Sequence, residues 1–176
     1  MVLLDWEKAF DKLDREALWT TMKRLDIDEK LIRLTKELYK APKFMVETEG
    51  QQSTWFTQET GIRQGCPFSP YLFLIAMTGM FHDIHCNHDT QIALVQHRIP
   101  AENFDEIMYA DDTICISSDT KAMNKFIQNI ESEGEKYNMK LNREKCEVIH
   151  NSTTANVHFA DNTKVQRKEE AKYLGC

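Results

Sequence analysis

No two of the five cysteines (Cys66, Cys86, Cys115, Cys146 and Cys176) form a C-x-x-C pair, and their number is odd. Neither a disulfide framework nor a common zinc module is indicated, and a reducing, intracellular setting is predicted, whether nuclear or cytoplasmic. Long hydrophobic runs are also missing. The longest, Tyr71 to Met77, falls far short of the roughly 20 residues that a membrane-spanning helix needs. The opening Met1-Val2-Leu3-Leu4-Asp5-Trp6-Glu7-Lys8 places acid where a signal peptide needs its apolar centre, so no membrane partner is expected. Positive charge is scarce: 22 bases stand against 28 acids, for a net charge of -6. That balance excludes whole-molecule attraction to nucleic acid or an anionic membrane, and any phosphate partner must be held locally, by metals or by surfaces supplied from elsewhere. No repeat, low-complexity tract or Pro/Gly/Ser linker divides the 176 residues, which predicts one unit. At 41% apolar and 28% charged residues, the chain is long and apolar enough to bury a core, which excludes disorder.

What is present reads as alternating helix and strand. Val2 to Leu4 is a short apolar run that predicts a buried strand ending on Asp5, although an ordinary domain seldom begins inside its core. Asp14 can cap a helix carrying Ala17, Leu18, Met22 and Leu25 on one face, and Asp28 a second with Leu31, Leu34, Leu38 and Tyr39, stopped by Pro42. From Phe44 to Thr60 the period changes to 2 around Glu49-Gly50, which predicts a small hairpin from about 43 to 60. Ser69-Pro70 opens a helix, Ser69 as cap, through the apolar run to about Phe81. Glu106 to Tyr109 and Thr113 to Ser117 are β-prone runs that place Ala110-Asp111-Asp112 at a tight turn. Asp119 or Thr120 starts a helix with Met123, Phe126, Ile127 and Ile130 on one face. Strands return at Cys146 to Ile149, Val157 to Phe159 and Lys164 to Gln166.

Adjacent carboxylates at a turn, aimed at a site shared with Asp5, repel one another and call for cations. Oxygen-only ligands favour Mg²⁺ or Mn²⁺, and two such ions can clamp both oxygens of a phosphoryl displacement. Aspartates also favour turns for local reasons, so the pair alone settles nothing. Its company does more. Tyr109-Ala110-Asp111-Asp112 is preceded by Leu4-Asp5-Trp6-Glu7-Lys8-Ala9-Phe10-Asp11 and by Gly61-Ile62-Arg63-Gln64-Gly65-Cys66-Pro67-Phe68-Ser69-Pro70-Tyr71-Leu72-Phe73.

In this order and spacing the three motifs resemble those of the reverse transcriptase palm, particularly in non-LTR (LINE-like) retrotransposons. Lys140-Leu141-Asn142-Arg143-Glu144-Lys145-Cys146 is similar to the lysine-bearing motif after the palm's second helix, and Tyr173-Leu174-Gly175 to the start of the primer grip. The resemblance implies an α+β palm: an antiparallel sheet of about three or four strands with helices packed on one face, plus the small hairpin. It implies an RNA-directed DNA polymerase acting on RNA template, DNA primer and dNTP, with two Mg²⁺ (or Mn²⁺) ions bound by Asp5, Asp111 and Asp112. Phe10 falls at the steric gate that rejects a 2'-hydroxyl, backbone N-H groups between Trp6 and Phe10 (Glu7, Lys8 and Ala9 included) face the phosphates, and Gln64 and Gly65 lie beside the nascent base pair. Tyr109, Tyr173, Leu174 and Gly175 contact the primer, and Lys145 is the candidate general acid for the leaving pyrophosphate.

The family's fingers and thumb have no counterpart in these residues, so residues 1-176 are expected to be a partial palm from a longer polyprotein or a truncated remnant. A palm that folds without polymerising is the alternative. A nucleotide cyclase, another palm-fold enzyme, would lack the Gln64-Gly65 loop and Tyr109. Phe81-His82-Asp83-Ile84-His85-Cys86-Asn87-His88 carries zinc-ligand residue types on one helix face, but a polar helix end explains it as well and the motif resemblance places no metal there.

Overall fold

The computed structural model describes residues 1-87, 105-151 and 156-171. Its central strand, β1 (Val2–Leu4), is paired along both edges, with Val2 and Leu4 buried and Leu3 half-buried on the other face. The remaining strands are β2 (Lys43–Phe44), β3 (Glu47–Thr48), β4 (Gln51–Gln52), β5 (Phe56–Thr57), β6 (Glu106–Tyr109), β7 (Asp112–Cys115), β8 (Glu147–Val148) and β9 (Gln166–Arg167). Five of them form one sheet in the order β6-β7-β1-β8-β9. Leu4 stands opposite Thr113 on β7, and Val2 opposite both Cys115 and Val148. The expected three or four antiparallel strands are thus five, and the last pair, β8 with β9, is parallel. The segment between them is long enough for a crossover and turns on itself through the His158–Lys164 bridge.

Alternation sorts the sheet into two faces. Val2, Leu4, Trp6, Thr113, Cys115 and Val148 are buried on one, under the helices. These are α1 (Ala9–Lys12), α2 (Arg15–Arg24), α3 (Glu29–Leu38), α4 (Ser69–Cys86) and α5 (Thr120–Lys136). α4 packs between α2 and α5. It buries Leu72, Phe73, Ala76, Met77, Met80, Phe81 and Ile84, against Met123, Phe126, Ile127 and Ile130 of α5. Backbones approach closely at Gly79, where a Cβ would fall 2.3 Å from Thr21 Cγ2. No described helix is long and apolar enough to cross a membrane.

The aspartate caps form as the sequence suggests: Asp14 accepts from the Ala17 amide at 2.7 Å, Asp28 from Lys30 at 2.7 Å and Asp119 from Ala122 at 2.8 Å. Ser69 does not cap. It is the first residue of α4, after Phe68 at the cap position, and its hydroxyl lies 3.1 Å from the Tyr39 hydroxyl in the interior. The second helix also differs from its pattern. Leu31, Leu34 and Leu38 are each more than half exposed, whereas Ile32, Thr35 and Tyr39 are buried. Among the described helices α3 packs chiefly on α2, so only one narrow side of it is covered.

The region from 43 to 60 is the expected hairpin in two short ladders, β2 with β5 and β3 with β4, closed by Glu49 and Gly50 at φ 52° and 77°. Two consecutive residues at positive φ are what a two-residue turn between twisted strands requires.

Candidate active site

Strand pairing brings the separated carboxylates to one end of the sheet. Tyr109 pairs with Asp112 across the β6–β7 hairpin, which leaves Ala110 and Asp111 as its two-residue turn, Ala110 in the left-handed region at φ 53°. β1 runs antiparallel to β7 with Leu4 opposite Thr113, so the next residue outward, Asp5, comes beside Asp112. Both line the open-face groove of about 860 Å³, together with Leu3, Lys145 and Glu147.

Lys145 reaches this groove because its loop is laced to the end of β1. The Glu7 amide donates to Lys140 O at 2.8 Å, the Asn142 amide to Asp5 O at 2.8 Å, and Trp6 forms a bridge with Leu141. Cys146 is buried below the loop with Sγ 3.8 Å from Asp5 O, and burial pushes its thiol up to about 11. Lys145 Nζ ends 3.7 Å from Asp5 Oδ2.

Burial raises the Asp112 carboxyl above the ordinary aspartate range, and the charges of Asp111 and Asp5 raise it further, with Lys145 opposing. Such mutual repulsion is what a bound cation relieves, and an all-oxygen donor set suits a hard divalent ion. The residues therefore fit Mg²⁺ or Mn²⁺ in chemistry. Among the described residues, no three His, Cys, Asp or Glu side chains form a ready-made metal cage.

The other sequence-selected residues are distributed around this end. Trp6 and Ala9 are buried, Glu7 pairs with Lys12 at 2.8 Å, and Lys8 sits at φ 51° before α1. The Glu7 amide is bonded to Lys140 O, and beyond it come the first amides of α1, which a helix start leaves without an intrahelical partner. Phe10 is half-buried, its ring stacked on Phe73 at 4.8 Å and 17°, and it is not part of the groove wall. Gln64 and Gly65 are exposed in a separate loop, where Gln64 Nε2 donates to Asp11 Oδ1 at 3.1 Å. Tyr109 is 62% exposed at the end of β6. Tyr173, Leu174 and Gly175 lie outside the described residues.

The histidine cluster divides. His85 Nε2 contacts Glu106 Oε2 at 2.9 Å, while Cys86 Sγ lies 3.7 Å from His82 Nδ1; His88 lies outside the described residues. Arg15 belongs to none of the sequence motifs. It donates to four backbone carbonyls in two separate segments, Tyr39 and Gln58 to Gly61, a pattern that leaves no local signal in sequence.

Comparison with known proteins covers the whole chain. A family model described as reverse transcriptase (RNA-dependent DNA polymerase) matches residues 1–176. The RNA-directed DNA polymerase from mobile element jockey of Drosophila funebris is 25% identical over 98% of this chain and 19% of its own length. The Pol polyprotein of the type-1 retrotransposable element R2 of Nasonia vitripennis is 21% identical over 85% of this chain and 14% of its own length. The chain thus spans less than a fifth of these relatives. Among solved structures, apo telomerase from Candida tropicalis superposes with a TM-score of 0.66 at 16% identity, over 88% of this chain and 29% of that one. Telomerase from Candida albicans, in complex with a TWJ fragment of telomeric RNA, gives 0.63 at 14% identity, over 90% and 28%. The structural likeness establishes the α+β polymerase palm fold.

Proposed function

The chain belongs to the reverse transcriptase family, whose relatives here include polyproteins of non-LTR mobile elements, and from that premise we propose that it is the catalytic palm of an RNA-directed DNA polymerase. In this reading residues 1–176 work within a longer polyprotein whose fingers and thumb hold the RNA template and DNA primer. The observation that carries it is the meeting of Asp5, Asp112 and Lys145 in one groove, from three distant parts of the chain.

Asp5, Asp111 and Asp112 would hold two Mg²⁺ or Mn²⁺ ions, which supply charge stabilisation at the attacking and leaving oxygens of nucleotidyl transfer. The chain's own groups do the rest. Lys145, beside Asp5, delivers a proton to the departing pyrophosphate, and open amides at the start of α1 orient the triphosphate. The Phe10 ring, backed by Phe73, excludes a 2'-hydroxyl. Gln64 bonds the nascent pair while Gly65 allows its close approach, and Tyr109 abuts the primer end. Tyr173, Leu174 and Gly175 support the primer from beyond the described segment.

The test is primer extension on an RNA template by a polypeptide in which this chain is joined to its flanking coding sequence. Mg²⁺-dependent extension that Asp111→Ala with Asp112→Ala abolishes is expected. An inactive product with an intact fold would instead identify a silent palm.

A further inference from the structure

Arg15, the first residue of α2, is a half-buried cation whose hydrogen bonds all go to main-chain oxygen. Its Nε donates to Gly61 O at 2.7 Å, Nη1 to Tyr39 O at 3.3 Å, and Nη2 to Gln58 O at 3.0 Å and Thr60 O at 3.2 Å. The guanidinium also stands 5.2 Å from the Tyr39 ring centroid. A planar fork with five donors can hold several carbonyls in fixed relative positions, which a point charge cannot do.

Three of those carbonyls, on Gln58, Thr60 and Gly61, belong to the stretch that follows β5 and enters the Arg63-Gln64-Gly65 loop. The same stretch is fastened to the segment after Asp5: the Gly61 amide donates to Leu13 O at 3.0 Å and the Ile62 amide to Phe10 O at 2.7 Å. Beyond it, the Arg63 amide reaches the Tyr39 hydroxyl at 3.4 Å, and Gln64 Nε2 reaches Asp11. With its NH₂ donating to Asp11, the Gln64 side chain keeps its carbonyl oxygen as an acceptor. Arg15 therefore fixes the root of a loop whose tip carries Gln64.

We propose that Arg15 is a positioning residue for nucleotide binding: its grip on Gln58, Thr60 and Gly61 sets where Gln64 and Gly65 stand relative to Phe10. The inference rests on the polymerase reading above, in which this loop lies beside the nascent base pair. Release of the loop root removes binding contacts to the nucleotide that are the same before and during reaction, so it weakens nucleotide capture while the carboxylate groove stays intact.

The experiment compares Arg15→Met and Arg15→Lys with the parent in the extension-competent polypeptide, reading dNTP KM and kcat separately. Arg15→Met is expected to raise KM about tenfold to a hundredfold, with kcat changed by no more than about threefold. Arg15→Lys, which keeps the charge and the fold but lacks the fork, is expected to recover only part of the loss. Amide hydrogen exchange on the 176-residue chain gives a readout that needs no activity. Gly61 and Ile62 should exchange faster in both variants, while the Leu3 and Leu4 amides stay protected. A lowered Tm with unchanged KM and unchanged local exchange would overturn the proposal, since Arg15 would then be a general buttress. Extension that survives Asp111→Ala with Asp112→Ala would sink the polymerase reading instead, and the exchange data alone would decide whether Arg15 holds the loop.

Discussion

The indole Nε1 of Trp6 lies 3.4 Å from the Thr113 hydroxyl, inside the core and directly behind the strand ends that carry Asp5 and Asp112. Both residues are nearly inaccessible, Trp6 at 3% and Thr113 at 1%. The bond ties the two carboxylate-bearing strands together from the side opposite the groove. Trp6→Phe removes the donor, leaves a buried hydroxyl unsatisfied and opens space beside Gly134, where a Cβ would meet Trp6 Cζ3 at 3.0 Å. The expected cost is about 2 kcal/mol or more in urea denaturation. Adding Thr113→Val should cost about 1 kcal/mol less than the sum of the single changes, because the partner group is removed with the donor. Strict additivity would show that the two side chains are not bonded.

Gly61 and Gly65 have similar backbone angles, φ 72° and 78°, but opposite surroundings. A Cβ on Gly61 would sit 2.4 Å from the carbonyl oxygens of both Phe10 and Asp11, whereas nothing lies within 4 Å of one on Gly65. Gly61→Ala should therefore cost about 3 kcal/mol or more, combining a left-handed alanine with a backbone clash. Gly65→Ala should cost only about 1 kcal/mol and act on function, by placing a methyl group where the reading above brings the base pair. Thermal unfolding and nucleotide binding, measured on both variants, separate the two effects. Equal loss of stability in both would contradict the geometry.

Much of this organisation was legible in the residues, and the unread parts have identifiable causes. The Asp111-Asp112 hairpin could be read because turn chemistry and β-prone flanks are local signals, and the three aspartate caps for the same reason. Periodicity marks a stripe without saying what covers it: the leucines of α3 face solvent, and Tyr39, expected to share their face, is buried instead with Ile32 and Thr35. Ser69-Pro70 carried a cap signature, but the hydroxyl found Tyr39 in the interior. Lys145 arrives beside Asp5 through backbone bonds from Lys140 and Asn142, and Arg15 serves carbonyls far away in sequence. Neither relationship has a periodic trace.

Phe10 is neither fully in the core nor free of it, since one face of its ring is stacked on Phe73. Phe10→Ala should cost about 1 to 2 kcal/mol, between the value of an aromatic pair and that of a fully buried phenylalanine. In an active polypeptide the same change should relax discrimination against ribonucleotides, because a methyl group cannot fill the space under the sugar. Incorporation ratios for dNTP and rNTP, read with the unfolding free energy, make the check. A loss of about 3 to 5 kcal/mol with the ratio unchanged would mark Phe10 as core alone.

Residues 1–176 by themselves should extend a primer at or near background, even though the acidic groove is in place. Duplex affinity comes chiefly from neutralising phosphates with Lys and Arg, and a net charge of -6 works against it. Within the groove, Lys145 is engaged with Asp5 and Lys168 faces Glu147 at 3.8 Å, so its cations are already opposed by acids. Catalysis also needs the primer hydroxyl aligned with the α-phosphate, and misplacement by about 1 Å costs on the order of a hundredfold. The expected behaviour of the chain is weak, Mg²⁺-dependent nucleotide binding, visible in titration and lost with Asp111→Ala and Asp112→Ala. Joining the flanking coding sequence should restore extension, with a salt dependence that steepens as more phosphates are contacted. Processive extension by the 176 residues alone would refute this division of labour, since it would place the duplex grip within the acidic palm itself.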